Sequence, residues 1–358
     1  MTSRNEHSSV RSRSESSGSS RGFAGGNAIK SRIISPISLR HCFFCYSGRC
    51  GLASDPVGIA IHCAILLVLP PFFLGLIAKT KAFVAGRKGA PLLQPYFDLG
   101  KLVRKGMVYS DVASWIVRIA PVIILVAIVS AGLFLPLFGK APIHFEGDII
   151  LFAYLLAVGR FWTLLAAWDV GSSFEGMGAS REATFGALSE LAFFLSLIVL
   201  VLTSHSTSLT EVFYWKLTHF GWQPVFLLLF VTLFLTLLAE NSRMPVDDPT
   251  THLELTMIHE VMILDYSGVD LGCILYGAGV KLFLFMALAV SLLWPPAAVW
   301  SGSAVALFFC KMCGMAVLIG IVESVTARVR LVKVPQLLIA NFVIALFALL
   351  VAVSGRGI

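Results

Sequence analysis

Eight apolar runs, each about twenty residues long and separated by short charged stretches, decide most of what this chain can become. They cover 57–79, 115–138, 149–168, 183–203, 223–239, 271–293, 301–322 and 334–353. At about 1.5 Å per helical residue, such a run crosses about 30 Å of hydrocarbon or comes close to it. Lipid offers no partner to backbone N–H and C=O groups, so each run is expected to be a helix. The fifth is the shortest. Composition agrees: the chain is 57% hydrophobic and 13% charged, against roughly 45–50% and 25% for soluble globular chains. The fold class expected is all-α: a polytopic membrane protein with about eight transmembrane helices, an interfacial helix and structured cytoplasmic loops.

Residues 1–55 are different in kind. They are rich in Ser, Arg and Gly and lack helical periodicity, so they are expected to be a disordered tail, as a targeting segment or as sequence preceding the true start. The transmembrane domain is 56–358. His41, Cys42, Cys45 and Cys50 cluster in the tail, but a second half with ligand spacing is missing, so no metal site is assigned. The formal net charge is +7. Much of it lies in the tail and in one loop beside an apolar run, which suits a membrane surface and speaks against nucleic acid. Loops 79–114, 169–182, 240–270 and 323–333 hold twelve Lys and Arg; the opposite side, without the tail, holds Lys140, Lys216 and Arg356. The positive-inside rule puts the basic loops in the cytoplasm and, with eight spans, both termini outside. The membrane expected is the cell inner (plasma) membrane. No internal repeat is visible, which speaks against an inverted-repeat transporter.

Chemistry is concentrated in two places. The first is the 240–270 loop, where Glu240, Asp247, Asp248, Glu254, Glu260, Asp265 and Asp270 face one nearby arginine, Arg243. Acids crowded at a membrane surface raise one another's pKa, which suits proton uptake; a solvated acidic loop is the plainer alternative. Asp248 is placed to cap a helix opening at Pro249. His252 and His259 read as hydrogen-bonded loop histidines. The second place is inside the runs: Arg118, Arg160, Glu190, Lys281 and Lys311, with Glu240 and Glu323 at the ends of runs five and seven. Each such charge costs roughly 2.5–3.5 kcal/mol on insertion scales, so these side chains are expected to pair or to line a polar path. A carboxylate and lysines suit a relay, because each shifts as its neighbour changes charge. Arginine holds its proton, so Arg160 would set the local potential. Residues 91–106 segregate Leu92, Leu93, Tyr96, Phe97 and Val103 from Asp98, Lys101, Arg104 and Lys105, the pattern of a helix lying in the interface. That helix serves as a surface anchor, a docking face, or both.

Gly86-Arg87-Lys88-Gly89 through Leu93-Gln94-Pro95, with Asp98 and Lys101, resembles the first cytoplasmic loop of the complex I subunit 1 family. Gly178-Ala179-Ser180-Arg181 with Ser189-Glu190 resembles that family's next loop and helix. Ala239-Glu240, Arg243, Pro245, Asp247, Pro249, Glu254-Leu255 and Tyr266-Ser267-Gly268 resemble its acidic loop, and Glu323, Arg328, Arg330 and Pro335-Gln336 its last one. The wording Pro-Val-Asp-Asp-Pro-Thr-Thr-His-Leu-Glu-Leu is closer to the branch of formate hydrogenlyase subunit 4, the membrane subunits of group 4 [NiFe]-hydrogenases.

The resemblance implies a non-catalytic membrane subunit of an oxidoreductase complex, coupling electron transfer to proton or sodium movement. Glu240, Asp247, Glu254 and Glu260 would take up the ion and Glu190 relay it inward, joined by Lys281, Lys311 and Glu323. Arg87, Gln94, Asp98, Arg181 and Arg243 would position the loops or dock the arm. No cofactor is expected on this chain. Iron–sulfur clusters and a nickel–iron or related centre would sit in peripheral hydrogenase-like subunits, with antiporter-like membrane subunits as further partners. Quinone binding stays open. The alternatives are subunit 1 of a NADH–quinone oxidoreductase and a stand-alone ion transporter.

Overall fold

The apolar runs become helices of the expected kind. A computed structural model describes residues 51–52, 56–110, 112–219, 224–247, 257–296, 302–327 and 329–354, all within the unit Gly48–Ile358. The tail cluster, the helix start at Asp248–Pro249, His252 and Glu254 lie outside the described residues. In chain order come β1 (Gly51–Leu52), α1 (Pro56–Val84), α2 (Gln94–Val103), α3 (Trp115–Gly132), β2 (Ile143–His144), α4 (Asp148–Asp169), α5 (Ser173–Ser204), α6 (Leu209–Thr218) and α7 (Pro224–Glu240). Then follow α8 (Gly268–Leu293), α9 (Gly302–Val325) and α10 (Val334–Ser354), with single 3-10 turns at Glu260–Ile263 and Leu331–Lys333. Among the described residues, seven helices are long and apolar enough to cross a membrane, counting the turn before α10 with it; α7 is the shorter eighth.

Helix α8 is the central pillar. Of its most apolar stretch 72% is buried, against 28–44% in the other six. It packs on α1, α3, α7 and α9, so its middle is walled by protein on every side. Exposed Val, Leu, Ile and Phe side chains on α1, α4, α9 and α10 form the outer wall, where lipid replaces protein as the apolar solvent. Prolines inside α1 (Pro70, Pro71) and α3 (Pro121) are of the kind that membrane helices accommodate.

Short polar ties fix the helix ends. The Ser114 hydroxyl accepts from the Ile116 N–H and caps α3, while Asp169 at the end of α4 accepts from the Ser114 N–H (2.9 Å) and hydroxyl (2.7 Å). Asp148, the first residue of α4, accepts from the Leu209 N–H (2.6 Å) and the Ser208 hydroxyl (2.8 Å), which caps α6 from outside its own helix. β1 pairs antiparallel with β2.

Two expectations need correction. Residues 173–182, read as loop, are the first turns of α5. Glu175, Ala179 and Glu182 recur at helical spacing on its buried side, against Ala167 and the 3-10 turn. Hydropathy missed this segment because its buried face is carboxylate, glycine and alanine. The interfacial helix is present but shorter than 91–106. It spans Gln94–Val103, has no buried residue, and keeps Phe97 and Val103 exposed. The Tyr96 hydroxyl anchors it by donating to the Val68 carbonyl of α1.

Helices α1 and α9 meet where Gly320 faces Thr80; a Cβ at Gly320 would lie 1.8 Å from Thr80 Oγ1 and 2.8 Å from its Cβ. Gly320→Val is therefore expected to lower the thermal midpoint of the detergent-solubilised chain, by a cost of about 1–3 kcal/mol. Gly314→Ala, whose added Cβ meets nothing within 4 Å, is expected to leave the midpoint unchanged.

Candidate functional site

The buried charges converge. Arg160, near the middle of α4, reaches across to α5 and α7. Its Nη1 lies 2.8 Å from Glu190 Oε1, its Nε 3.4 Å from Glu182 Oε1, and its Nη2 pairs with Glu240 Oε1. Nε and Nη1 hold their acids at ion-pair distance without aligned hydrogen bonds. Glu240, the last residue of α7, has a side chain only 3% exposed. It also accepts from the Ser189 hydroxyl (2.5 Å) and from Lys281 Nζ of α8 (2.8 Å), and Lys281 donates again to the Glu240 carbonyl (3.1 Å). The guanidinium fits because α5 presents Gly186 to it: a Cβ there would sit 2.9 Å from Nη1 and 3.2 Å from Glu182 Oε1.

The network continues outward through the segment after α7. His259 Nε2 lies 3.2 Å from Glu182 Oε2, and its Nδ1 lies 3.4 Å from Asp247 Oδ2. The same Asp247 oxygen accepts from the N–H groups of Ile258 and His259, both at 3.2 Å. Burial alone would push the His259 imidazole below its ordinary value; Glu182 and Asp247 outweigh it and push the net value up. An unbroken polar line thus runs from Asp247 through His259, Glu182, Arg160 and Glu240 to Lys281.

A second group lies at the same end of α7. Glu323 of α9, whose side chain is fully buried, pairs with Lys81 of α1 (3.1 Å) and Arg243 (3.3 Å). Beside both groups opens a cavity of about 380 Å³ between α1, α2, α3, α4 and α8. Its walls are apolar (Leu74, Leu102, Ile124, Ile128 among them), and one end carries Arg160, Glu182, Glu240, His259 and Lys281. Glu260 and Asp98 reach its lining as well.

Of the residues singled out from sequence, Glu190, Glu240, Asp247 and Lys281 are brought into the line, and Arg243 and Glu323 into the neighbouring group. Arg181 braces the outer segment, donating from Nη1 to the Met257 carbonyl (3.0 Å). Gln94 donates to Asp98 (2.8 Å) on α2, and Arg87 is exposed on the loop before it. Lys311 stands apart: its Nζ reaches the Trp294 and Pro295 carbonyls past the far end of α8 (3.4 and 3.5 Å). Sequence reasoning missed Glu182, placed in a loop, and gave His259 no part; it also reduced Arg160 to a source of potential. A signal was available. Glu175, Ala179, Glu182, Gly186 and Ser189 form a polar and small stripe at three- and four-residue spacing on α5.

A helical membrane protein with a buried arginine shared by three glutamates, and a histidine-bridged acid leading to it, is the class that fold and site define. The chain belongs to the NADH dehydrogenase family, whose pattern matches residues 57–354. It is 33% identical over 239 residues to hydrogenase-4 component C of Escherichia coli (strain K12), covering 64% of this chain and 73% of that one. Formate hydrogenlyase subunit 4 of the same strain is 28% identical over 299 residues, 80% of this chain and 95% of its own. A NADH-quinone oxidoreductase subunit of Burkholderia ambifaria (strain MC40-6) is 27% identical over 216 residues, 57% and 60% of the two chains. The fold is shared with a chain of the membrane-bound sulfane sulfur reductase, an archaeal respiratory membrane complex, at a TM-score of 0.73 and 20% identity over 82% of this chain and 99% of that one.

Arg160→Leu leaves buried acids without their cation and is expected to cost about 3–5 kcal/mol in unfolding free energy. Adding Glu182→Gln and Glu190→Gln, which leaves Glu240 to Lys281, is expected to recover most of that loss. Stability measured against pH carries a second signature. Because the fold raises the His259 value above 6.5, its contribution is complete below that pH and fades as pH rises through the raised value. His259→Asn is expected to flatten that part of the profile.

Proposed function

We propose that this chain is the membrane-embedded subunit of an energy-converting hydrogenase complex of the formate hydrogenlyase kind. It seats a peripheral redox arm and couples electron transfer there to proton or sodium movement in the membrane. The observation that carries the reading is the continuous line from Asp247 to Lys281. It starts in the acidic segment beside the arm-facing loops and ends midway along the most buried helix. Four carboxyls (Glu182, Glu190, Glu240, Asp247) meet one guanidinium (Arg160), one amine (Lys281) and one imidazole. Fully ionised, they leave excess negative charge in a low-dielectric interior even with His259 protonated. Such a set favours retaining a proton and redistributing it when a nearby charge changes.

The relatives support this reading. Hydrogenase-4 component C and formate hydrogenlyase subunit 4 match over more of the chain than does the quinone oxidoreductase subunit. On it, iron–sulfur clusters and a nickel–iron or related centre belong to peripheral hydrogenase-like subunits, and antiporter-like subunits continue the ion path. Arg87, the exposed face of α2 and the basic loop around them form the docking side, facing the cytoplasm. Glu190, the most exposed acid of the line at 32%, hands the ion on toward neighbouring membrane subunits.

The cavity favours a second reading. Apolar walls with a charged end suit the ring and tail of a quinone, as in a NADH–quinone oxidoreductase subunit. Gentle detergent extraction followed by mass spectrometry of co-purifying chains separates the two. A nickel–iron large subunit is expected; NADH-binding subunits in its place would favour the quinone reading. Within the complex, Glu190→Gln is expected to abolish ion movement coupled to electron transfer while assembly and electron transfer persist. Normal coupling in that variant would remove Glu190 from the path.

A further inference from the structure

His259 has a different geometry from every other member of the line. It is an imidazole clamped between two carboxylates that come from separate elements. Asp247, in the turn after α7, lies 3.4 Å from Nδ1; Glu182 of α5 lies 3.2 Å from Nε2. Permanent ion pairs need no such arrangement, since a lysine or arginine there would bind both acids more tightly. An imidazole differs in one property: its two nitrogens exchange roles as donor and acceptor, so it can take a proton on one side and release another on the opposite side. We propose that His259 is a proton relay joining Asp247, in the turn after α7, to Glu182 of α5.

The step balances without any further reagent. A proton leaves Asp247 and bonds to Nδ1, giving an imidazolium and leaving the carboxylate. The Nε2–H proton then passes to Glu182 Oε2, and the ring is left neutral with its proton on Nδ1. The Nε2–H tautomer is restored by ring rotation with proton exchange through the adjoining cavity, one proton lost at Nδ1 and one gained at Nε2, which resets the relay. Three features suit the role. The imidazolium is favoured by its two carboxylates, as the raised value of His259 indicates. The Nε2–Glu182 contact is close but not an aligned hydrogen bond, so a small ring rotation makes or breaks the inner link. The ring also borders the cavity, which gives it room for that rotation. The charged groups around it come from each neighbouring element: Glu182 from α5, Asp247 from the turn after α7, Glu260 beside it in the 3-10 turn, and Lys281 from α8, whose charge opposes the imidazolium. Arg160 lies beyond Glu182 and holds that acid's other oxygen. A proton delivered to Glu182 therefore weakens one of the guanidinium's three pairs.

The relay rests on the coupling reading above but is testable apart from it. The full chain in lipid nanodiscs is moved from H2O to D2O, and deuteration of its buried carboxyl groups is followed by infrared spectroscopy. His259→Asn, which keeps a polar group beside Asp247 but cannot pass a proton through, is expected to slow that exchange on the order of a hundredfold. His259→Gly is expected to be equally slow and to regain the wild-type rate when imidazole is added, a rescue that a structural role would not show. Glu182→Gln keeps His259 in place and removes its inner acceptor; it is expected to slow exchange at the buried Glu240 similarly, and serves should the histidine variants fail to fold. Wild-type exchange in folded His259→Asn, or in folded Glu182→Gln, overturns the relay. Redox-driven proton uptake by the intact complex is measured separately: its absence in the wild type would sink the coupling reading and leave the exchange result standing.

Discussion

One guanidinium organises the interior. Arg160 meets acids from two other helices, and each contact fixes a rotation as well as a distance: α4 must turn Arg160 inward, α5 must turn Glu182 and Glu190 toward it, and α7 must end with Glu240 beside it. Arginine keeps its proton under all ordinary conditions, so the positive charge at the centre is permanent while the negative charges around it are not. That asymmetry turns a packing device into one that can respond. Change the protonation of any acid and the guanidinium's balance shifts among the remaining ones, without an apolar contact having to break. Lys281 adds a second basic group from α8, the most buried of the seven long apolar helices among the described residues.

The same constraint accounts for the small residues nearby. At Gly186 a side chain would displace the arginine, and at Ser189 an apolar one would remove one of the donors to Glu240. A fold alone does not specify a function, and the relatives of this chain are named for complexes of several kinds. What a buried arginine ringed by acids supplies is independent of the electron donor: a set of protonatable groups whose mutual energies depend on one neighbouring charge.

The helices were legible in the sequence because lipid leaves a chain few choices. Runs such as 271–293 and 334–353 are apolar at nearly every position over the length of a membrane span. Individual buried charges were legible for a related reason: Glu190 and Lys281 are conspicuous against Leu, Phe and Val. Harder to read was which charges share a neighbourhood. Arg160 and Glu240 are eighty residues apart, and only the packing of α4, α5 and α7 brings them together. Glu182 was obscured because the first turns of α5 bury carboxylates and glycines, which hydropathy scores as loop. His259 was read as ordinary because its partners, Asp247 twelve residues before it and Glu182 on another helix, do not form a spacing motif. Lys311 shows the opposite failure: a charge deep in an apolar run that serves the carbonyls past the end of α8.

Helix α7 spans seventeen residues, about 25 Å, less than the roughly 30 Å of a hydrocarbon layer. Its last residue is Glu240, held by Lys281 from midway along α8, so the polar turn that follows starts level with the interior of a neighbouring helix. No residue of 241–247 is exposed, and the charged ones find their partners in protein: Arg243 in Glu323, and Asp247 in the N–H groups of Ile258 and His259. The exit from α7 is thereby fastened to α9 and to the segment before the 3-10 turn. Such a turn works as a keystone: lengthening or exchanging it loosens elements far from it along the chain.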